Sequence, residues 1–212
     1  DVESLFIASQ VANCENLIKL FTPRYEANPQ DLALAKTIAG MMAKTEDCTD
    51  NDLFINAMST WYSLEPSASA AYMLYKLNSS KGDMEKAVKY IEEAIASEES
   101  DADTDAGYYY ELAAFCFKNG KSPMAYEAAQ KVVDLDPSLA GKAYMLIGTI
   151  WGSVVCSGND IEQRSKYWVA VDYMNKAKAA DETLAEDANE HIRQYAAYYP
   201  QTAEAFMYDI TN

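Results

Sequence analysis

The sequence predicts an all-α solenoid of stacked helix pairs, and three observations support this fold class. The segment Gly82–Ala94 recurs in weaker form over Gly120–Pro137, and its Ala-Val-x-Tyr-x-x-x-Ala pattern returns at Ala170–Ala177. Half of the 212 residues are hydrophobic but only 8 are Gly and 6 are Pro, which disfavours an all-β fold. The prolines also repeat, because Pro66 follows Pro29 by 37 residues and precedes Pro137 by 71, about two such intervals.

The expected helices follow one another in pairs along a single domain. We expect a lone N-terminal helix at about 11–28, helix pairs at about 30–66, 67–99, 104–137 and 139–181, and a capping helix at about 182–199. The tail that follows either packs on this last helix or begins a further element that is truncated here. Lone end helices would cover the apolar faces that the terminal pairs leave open. Pro23 predicts a bend in the first helix, and the Ser157–Asp160 segment predicts an insertion in the fourth pair.

The pair at 104–137 shows the repeat pattern most clearly. Its first helix carries large, large, small and medium residues at Tyr109, Leu112, Ala113 and Cys116, and Gly120 ends that helix. Small residues let the partner helix approach closely, and Ala125 and Gly148 suit the same role.

These residues resemble the tetratricopeptide repeat (TPR) family, whose period is about 34 residues. The resemblance covers most of residues 29–181. It implies a right-handed α–α superhelix of TPR-like helical hairpins, with partners bound along the concave face. The Lys and Asn set of chaperone-type TPR clamps is absent, so the resemblance does not extend to those cochaperones.

Longer strings are similar to the C-terminal half of exported TPR proteins of Bacteroidetes. They are Cys14–Ile18 with Phe21 and Pro23, Asn28–Leu32, Cys48–Asp50, Leu64–Ala68, Tyr167–Asp172 and Tyr198–Phe206. In that family a signal peptide and further repeats precede this region, and no enzymatic activity is attached to it. The resemblance therefore implies a fragment of a longer, extracytoplasmic protein, periplasmic or associated with the cell envelope, whose signal peptide lies outside this sequence.

The resemblance also implies a position for the four cysteines. Cys14 begins one B-type helix and Cys48 lies just before the next, so their loops can approach to the separation that a disulfide needs. In an exported protein we expect Cys14 and Cys48 to be paired. Cys116 and Cys156 lie near the ends of successive A helices, where both pairing and a buried free thiol remain open.

The charge of the chain bears on its partners. Lys and Arg total 17 against 33 Asp and Glu, a formal net charge of −16, so nucleic acid and anionic membrane surfaces are disfavoured. The sequence has no run of about 18 apolar residues, so we expect no membrane insertion. Two interpretations of the acidity stay open: a solvated surface that keeps the protein in solution, or a surface for a cationic partner.

No motif predicts catalysis, a metal or a cofactor. The cysteines form no CxxC pair, and His191 cannot complete a zinc site with them at the usual spacing. In Asp101–Gly107 the Gly is at position 7, where a calcium loop needs it at position 6, so we interpret these Asp residues as caps of a helix starting near Asp105. His191 lies in the middle of a helix with no Ser or Cys beside it, so we interpret it as a surface or packing residue.

The TPR register places candidate binding residues on the concave face. They are Lys36, Tyr72, Lys76, Tyr110, Phe117, Lys142 and Met145. One hypothesis is that Lys36, Lys76 and Lys142 bind a carboxylate-bearing peptide; the other interpretation is a mildly polar surface without a ligand.

The function predicted from the sequence is a non-catalytic scaffold that binds a protein or peptide, with its oligomeric state left open. The alternative is a carbohydrate- or small-ligand-binding helical module that uses the 16 tyrosines. A pocket of Tyr and Trp with converging polar groups would favour the alternative, and an open groove would count against it.

Overall fold

The computed structural model describes residues 13–200, and this part of the chain is all-α. The helices are α1 (Cys14–Ala27), α2 (Leu32–Ala43), α3 (Asp52–Leu64), α4 (Ala68–Ser80), α5 (Met84–Ile95), α6 (Ala102–Lys118), α7 (Ser122–Leu135), α8 (Ala140–Ser153) and α9 (Asp160–Ala180), then a 3₁₀ turn (Glu182–Leu184) and α10 (Ala185–Ala196). The predicted fold class, an all-α TPR-like solenoid of helical hairpins, is confirmed.

Polar side chains explain where most of these helices begin. A side-chain oxygen of the residue before the helix accepts a hydrogen bond from a backbone N–H of the first turn, a cap that stabilises a helix by about 1 kcal/mol. The capping residues are Asn13, Asp31, Asn51, Ser67, Asp83, Asp101 and Asn159. At the turns between paired helices, Gly82 and Gly120 both have φ of 73°, a conformation that favours Gly.

The chain divides into two compact units, Asp1–Ser100 and Asp101–Asn212. In the described part of the first unit, α2 pairs with α3 and α4 with α5, and α1 packs on both α2 and α3. The core of this unit includes the fully buried side chains of Leu17, Phe21, Ile38, Met42 and Met58. The prediction that all 212 residues form one domain stays a prediction.

Within residues 101–200, the second unit contains two further hairpins, the 3₁₀ turn and one added helix. Helix α6 pairs with α7 and α8 with α9, and α10 packs along α9. Ala113, Ala125 and Gly148, the positions predicted to allow close helix approach, are all buried. Cys116 is buried in this unit and Cys156 is half-buried in the loop after α8, and neither forms a disulfide.

Some boundaries differ from the sequence-based expectation. Helix α6 begins at Ala102 rather than near Asp105, because Asp101 caps it and Asp103 and Asp105 then lie in its first turn, where carboxylates are favoured by the helix dipole. The capping helix at 182–199 is a 3₁₀ turn followed by the shorter α10. Residues 11–12 of the predicted first helix and the predicted tail lie outside the described residues.

Candidate functional site

An open groove of about 440 Å³ lies within the second unit, between α6, α8, the 3₁₀ turn and α10. Its lining residues are Tyr110, Lys142, Met145, Leu146, Thr149, Leu184, Asp187, Glu190 and His191. Three of the candidates chosen from the sequence, Tyr110, Lys142 and Met145, therefore face one groove. We call this feature the α6–α8–α10 groove.

Three glycines on α8 let the neighbouring elements come close enough to form this groove. A Cβ atom added at Gly141 would lie 2.6 Å from the Cβ of Asp181, and one at Gly148 would lie 2.8 Å from the Cε of Met174. A Cβ at Gly152 would lie 2.5 Å from the ring of Tyr195. Each separation is shorter than a normal van der Waals contact. The close packing of α9 and α10 on α8 therefore depends on the absence of a side chain at these three glycines.

An aromatic row continues from one end of the groove. The His191 ring stacks on Tyr195 with centroids 5.7 Å apart, Tyr195 lies 5.8 Å from Tyr167, and Tyr167 stacks on Tyr198 at 5.2 Å. Burial raises the pKa of Tyr195, although its hydrogen bond with the hydroxyl of Thr149 acts in the opposite direction. These contacts fix the His191 ring beside the groove.

The charged residues of the groove are mostly acidic. Lys142, Asp187 and Glu190 are all exposed, so within residues 13–200 the lining holds one lysine and two carboxylates. Asp181 adds a carboxylate close to Lys142, and its pKa is lowered mainly by hydrogen bonds from Thr183 and to a smaller extent by the Lys142 charge. Among these residues of the groove and its immediate surroundings, the carboxylates outnumber the lysine.

The remaining candidates lie elsewhere. Phe117 on α6 is half-buried and does not line the groove. In the first unit, Lys36 forms an ion pair with Glu65, and its ammonium lies 5.7 Å from the centre of the Trp61 ring.

Two further candidates of the first unit contact each other. The ammonium group of Lys76 lies 5.6 Å from the centre of the Tyr72 ring. These contacts leave the concave-face assignment of Lys36, Tyr72 and Lys76 a prediction.

Sequence reasoning missed the part of the groove that the last helix provides. His191 was expected to be a surface or packing residue, but it lines the groove together with Leu184, Asp187 and Glu190. The helix was interpreted only as a cap, so its residues were not assigned to a groove-facing register. Asp187, Glu190 and His191 are spaced by three and four residues, the spacing of one helix face, and that signal was present in the sequence.

The groove lining includes the hydroxyl of Thr149 and the imidazole of His191. The hydroxyl of Thr149 donates a hydrogen bond to the carbonyl oxygen of Met145 at 2.9 Å. The Nδ1 atom of His191 is buried and has no hydrogen-bond partner within residues 13–200. Over the same residues, no group of three or more His, Cys, Asp or Glu side chains is arranged to hold a metal ion, and no helix is long and apolar enough to cross a membrane.

A second, smaller cleft of about 230 Å³ lies between α7 and the end of α8. The surface that it presents is apolar, and it is lined by Ser122, Pro123, Tyr126, Ile150, Trp151 and Val154. The cleft has the aromatic residues of a sugar site but lacks the converging polar groups that a sugar needs.

Helical hairpins and a groove lined by their first helices define an all-α TPR-like protein. Two solved structures of MamA, a TPR-containing protein, are similar to this chain. One has a TM-score of 0.65 at 20% identity and covers 88% of this chain and 98% of its own; the other has a TM-score of 0.60 at 22% identity and covers 80% and 83%. No family model and no curated protein matches the chain. At these identities the likeness supports the fold alone, and the narrower resemblance to Bacteroidetes proteins stays unconfirmed.

Proposed function

We propose that this chain is a non-catalytic scaffold that binds a segment of a partner protein in the α6–α8–α10 groove. The observation that carries the proposal is the groove itself, because it is open, bounded by three helices and the 3₁₀ turn, and lined by both apolar and charged side chains. Such a surface suits an extended or helical peptide better than a small molecule, which binds in more enclosed pockets.

We further propose that the protein acts outside the cytoplasm. Cys14 and Cys48 are joined as a disulfide with a Cα–Cα distance of 5.2 Å, well within the usual range. Stable disulfides persist in oxidising compartments and are rare in the cytosol, which supports this location.

The scaffold proposal is tested by selecting peptides from an unbiased displayed library against the full 212-residue chain. Met145→Trp places a bulky ring in the groove, so we expect it to weaken binding of the enriched peptides at least tenfold. Met124→Trp is the matched control, because Met124 is 39% exposed on α7 and does not line the groove. Calorimetric titration of synthetic peptides into each variant gives the dissociation constants.

Two results would overturn the scaffold proposal. One is that no peptide is enriched above an unrelated helical protein. The other is that enriched peptides bind Met145→Trp and the parent chain equally well, because the groove would then not be the binding site.

The carbohydrate alternative is not favoured. The aromatic cleft at Tyr126 and Trp151 presents apolar surface only, and the polar groove is open rather than enclosed.

A further inference from the structure

We infer that the α6–α8–α10 groove selects a basic segment, in which an Arg or Lys side chain lies against Asp187 and Glu190 and a neighbouring apolar residue packs on Met145 and Leu146. The inference rests on the proposed function and specifies the chemistry of its partner. The assignment comes from the distribution of charge, the aromatic surface and the apolar floor of one groove.

Charge is the first argument. Asp187 and Glu190 are three residues apart on α10, so their carboxylates lie on one face of the helix. Lys142 on α8 also lines the groove, and the carboxylate of Asp181 is close enough to interact with its charge. The whole chain carries a formal net charge of −16, which adds a long-range attraction for a cationic segment.

The aromatic surface is the second argument, independent of the acids. The rings of Tyr110 and His191 line the groove, and His191 is held by its stack on Tyr195. A guanidinium or ammonium group gains from lying over an aromatic face, and a carboxylate does not. The same chain already shows this contact, since the Lys166 ammonium lies 4.9 Å from the centre of the Tyr167 ring.

The apolar floor is the third argument. Met145 and Leu146 on α8 and Leu184 in the 3₁₀ turn are half-buried side chains of the groove lining. Arg and Lys have long methylene stems that pack on apolar surface while the charged end remains among polar groups. A basic side chain with an apolar neighbour therefore matches both the carboxylates and the apolar side chains of the groove.

A carboxylate-bearing partner, the hypothesis drawn from the sequence, fits this groove less well. It would have Lys142 as its one lysine or arginine contact in the lining, and it would have to approach Asp187 and Glu190. Like charges at this range are repulsive, and one lysine does not offset two carboxylates.

The experiment uses peptides whose binding depends on the groove, taken from the unbiased selection described above. We expect these peptides to be enriched in Arg and Lys relative to the library. Changing that basic residue to norleucine in the synthetic peptide should weaken binding at least tenfold, and changing it to Glu should abolish binding. Affinity for the parent peptide should also fall as sodium chloride rises from about 50 to about 300 mM.

The protein variants are matched for charge. Asp187→Asn with Glu190→Gln removes the two groove carboxylates while keeping their shape, and we expect at least a tenfold weaker affinity for the basic peptide. Glu127→Gln with Glu186→Gln removes two carboxylates that are exposed but do not line the groove, and we expect less than a threefold change. Circular dichroism melts check that both pairs remain folded.

Groove-dependent peptides that are acidic, or neutral and insensitive to Asp187→Asn with Glu190→Gln, would overturn the basic-segment inference and leave the scaffold proposal standing. Equal weakening by both variant pairs would also overturn it, because the attraction would then come from net charge alone. Failure to find any groove-dependent peptide would remove the scaffold proposal and the inference with it.

Discussion

Gly148 shows how a single position on α8 controls the packing of α8 against α9. A methyl group there would meet the carbonyl oxygen of Ala170 at 3.0 Å as well as the Met174 side chain. A flexible Met can move aside, but the Ala170 carbonyl belongs to the backbone of α9 and cannot. Gly107 on α6 is the opposite case, because an added Cβ would meet nothing within 4 Å.

These two glycines give a matched pair of substitutions with opposite expected signs. Gly148→Ala should lower the free energy of unfolding by about 1–3 kcal/mol, since it overpacks the contact between α8 and α9. Gly107→Ala should raise it by about 0.4–1 kcal/mol, since Ala has the better helix propensity and restricts the unfolded chain. Urea denaturation of both variants and the parent chain measures the two changes.

A destabilising Gly107→Ala or a neutral Gly148→Ala would contradict this account of the helix contacts. Peptide affinity gives a second measurement on the same variants. Gly148→Ala displaces α9 rather than a lining residue, so any effect on the groove should be smaller than that of Met145→Trp.

The packing residues that the sequence predicted belong to the repeat pattern. Ala113, Ala125 and Gly148 are small residues at positions where paired helices are expected to cross, and all three are buried. Asp187 and His191 occur once, on a helix outside the repeated pairs, so the repeat register did not assign them, and only their helix-face spacing indicated a shared surface. Binding residues vary while packing residues repeat, which is why the core was easier to predict than the groove.

At the scale of elements, α1 is attached to the first hairpin by specific contacts as well as by its apolar face. The hydroxyl of Tyr25 donates to the carbonyl oxygen of Asn56 at 3.0 Å and lies 2.6 Å from the hydroxyl oxygen of Thr60. At the other end of the helix, the disulfide joins Cys14 to Cys48 across 34 residues of sequence. In the unfolded chain the hydrogen bonds of Tyr25 are lost, but the disulfide still holds Cys14 next to Cys48.

Removing the disulfide should therefore cost stability. Cys14→Ala with Cys48→Ala is expected to lower the free energy of unfolding by about 2–4 kcal/mol, because the unfolded chain regains the entropy of an open loop of this length. Denaturant melts of the oxidised parent and the double variant give the difference. No loss of stability would mean that the disulfide does not form in the isolated protein.

Thiol titration under denaturing, non-reducing conditions gives an independent check. The parent chain should show two reactive thiols, those of Cys116 and Cys156. The variant Cys116→Ala with Cys156→Ala should show none. Four thiols in the parent would contradict the Cys14–Cys48 pairing and weaken the proposal of an extracytoplasmic location.

Helix boundaries were predictable where a capping residue and a proline or glycine act together. Asn51 and Pro66 bracket α3, and the structure places its ends beside them. The start of α6 was not predicted correctly, because Asp101, Asp103 and Asp105 are all acceptable first-turn or capping residues. In the structure the Thr104 N–H donates a hydrogen bond to the Asp101 carboxylate, and this bond identifies Asp101 as the capping residue.

At the scale of the whole chain, the dominant electrostatic fact is an excess of 16 negative charges. Ion pairs offset little of it, since pairs such as Glu15–Lys19 are exposed at both side chains, by 75% and 69%. Exposed pairs of this kind contribute at most about 1 kcal/mol each and are weakened by salt. Repulsion among the unpaired carboxylates should therefore outweigh the attraction within these pairs.

The expected consequence is a protein that becomes more stable as salt is added. Raising sodium chloride from about 10 to about 300 mM shortens the Debye length from about 30 Å to under 10 Å, so repulsion between distant carboxylates is screened first. We expect the melting temperature to rise by about 2–4 °C, the shift that about 1 kcal/mol produces in a chain of this size. Calorimetric melts measure it, and potassium chloride at equal ionic strength should give the same rise, because screening does not depend on which monovalent cation is present. A melting temperature that falls with salt would mean that exposed pairs such as Glu15–Lys19 outweigh the repulsion, and the acidic surface would then be no source of long-range attraction for a basic partner.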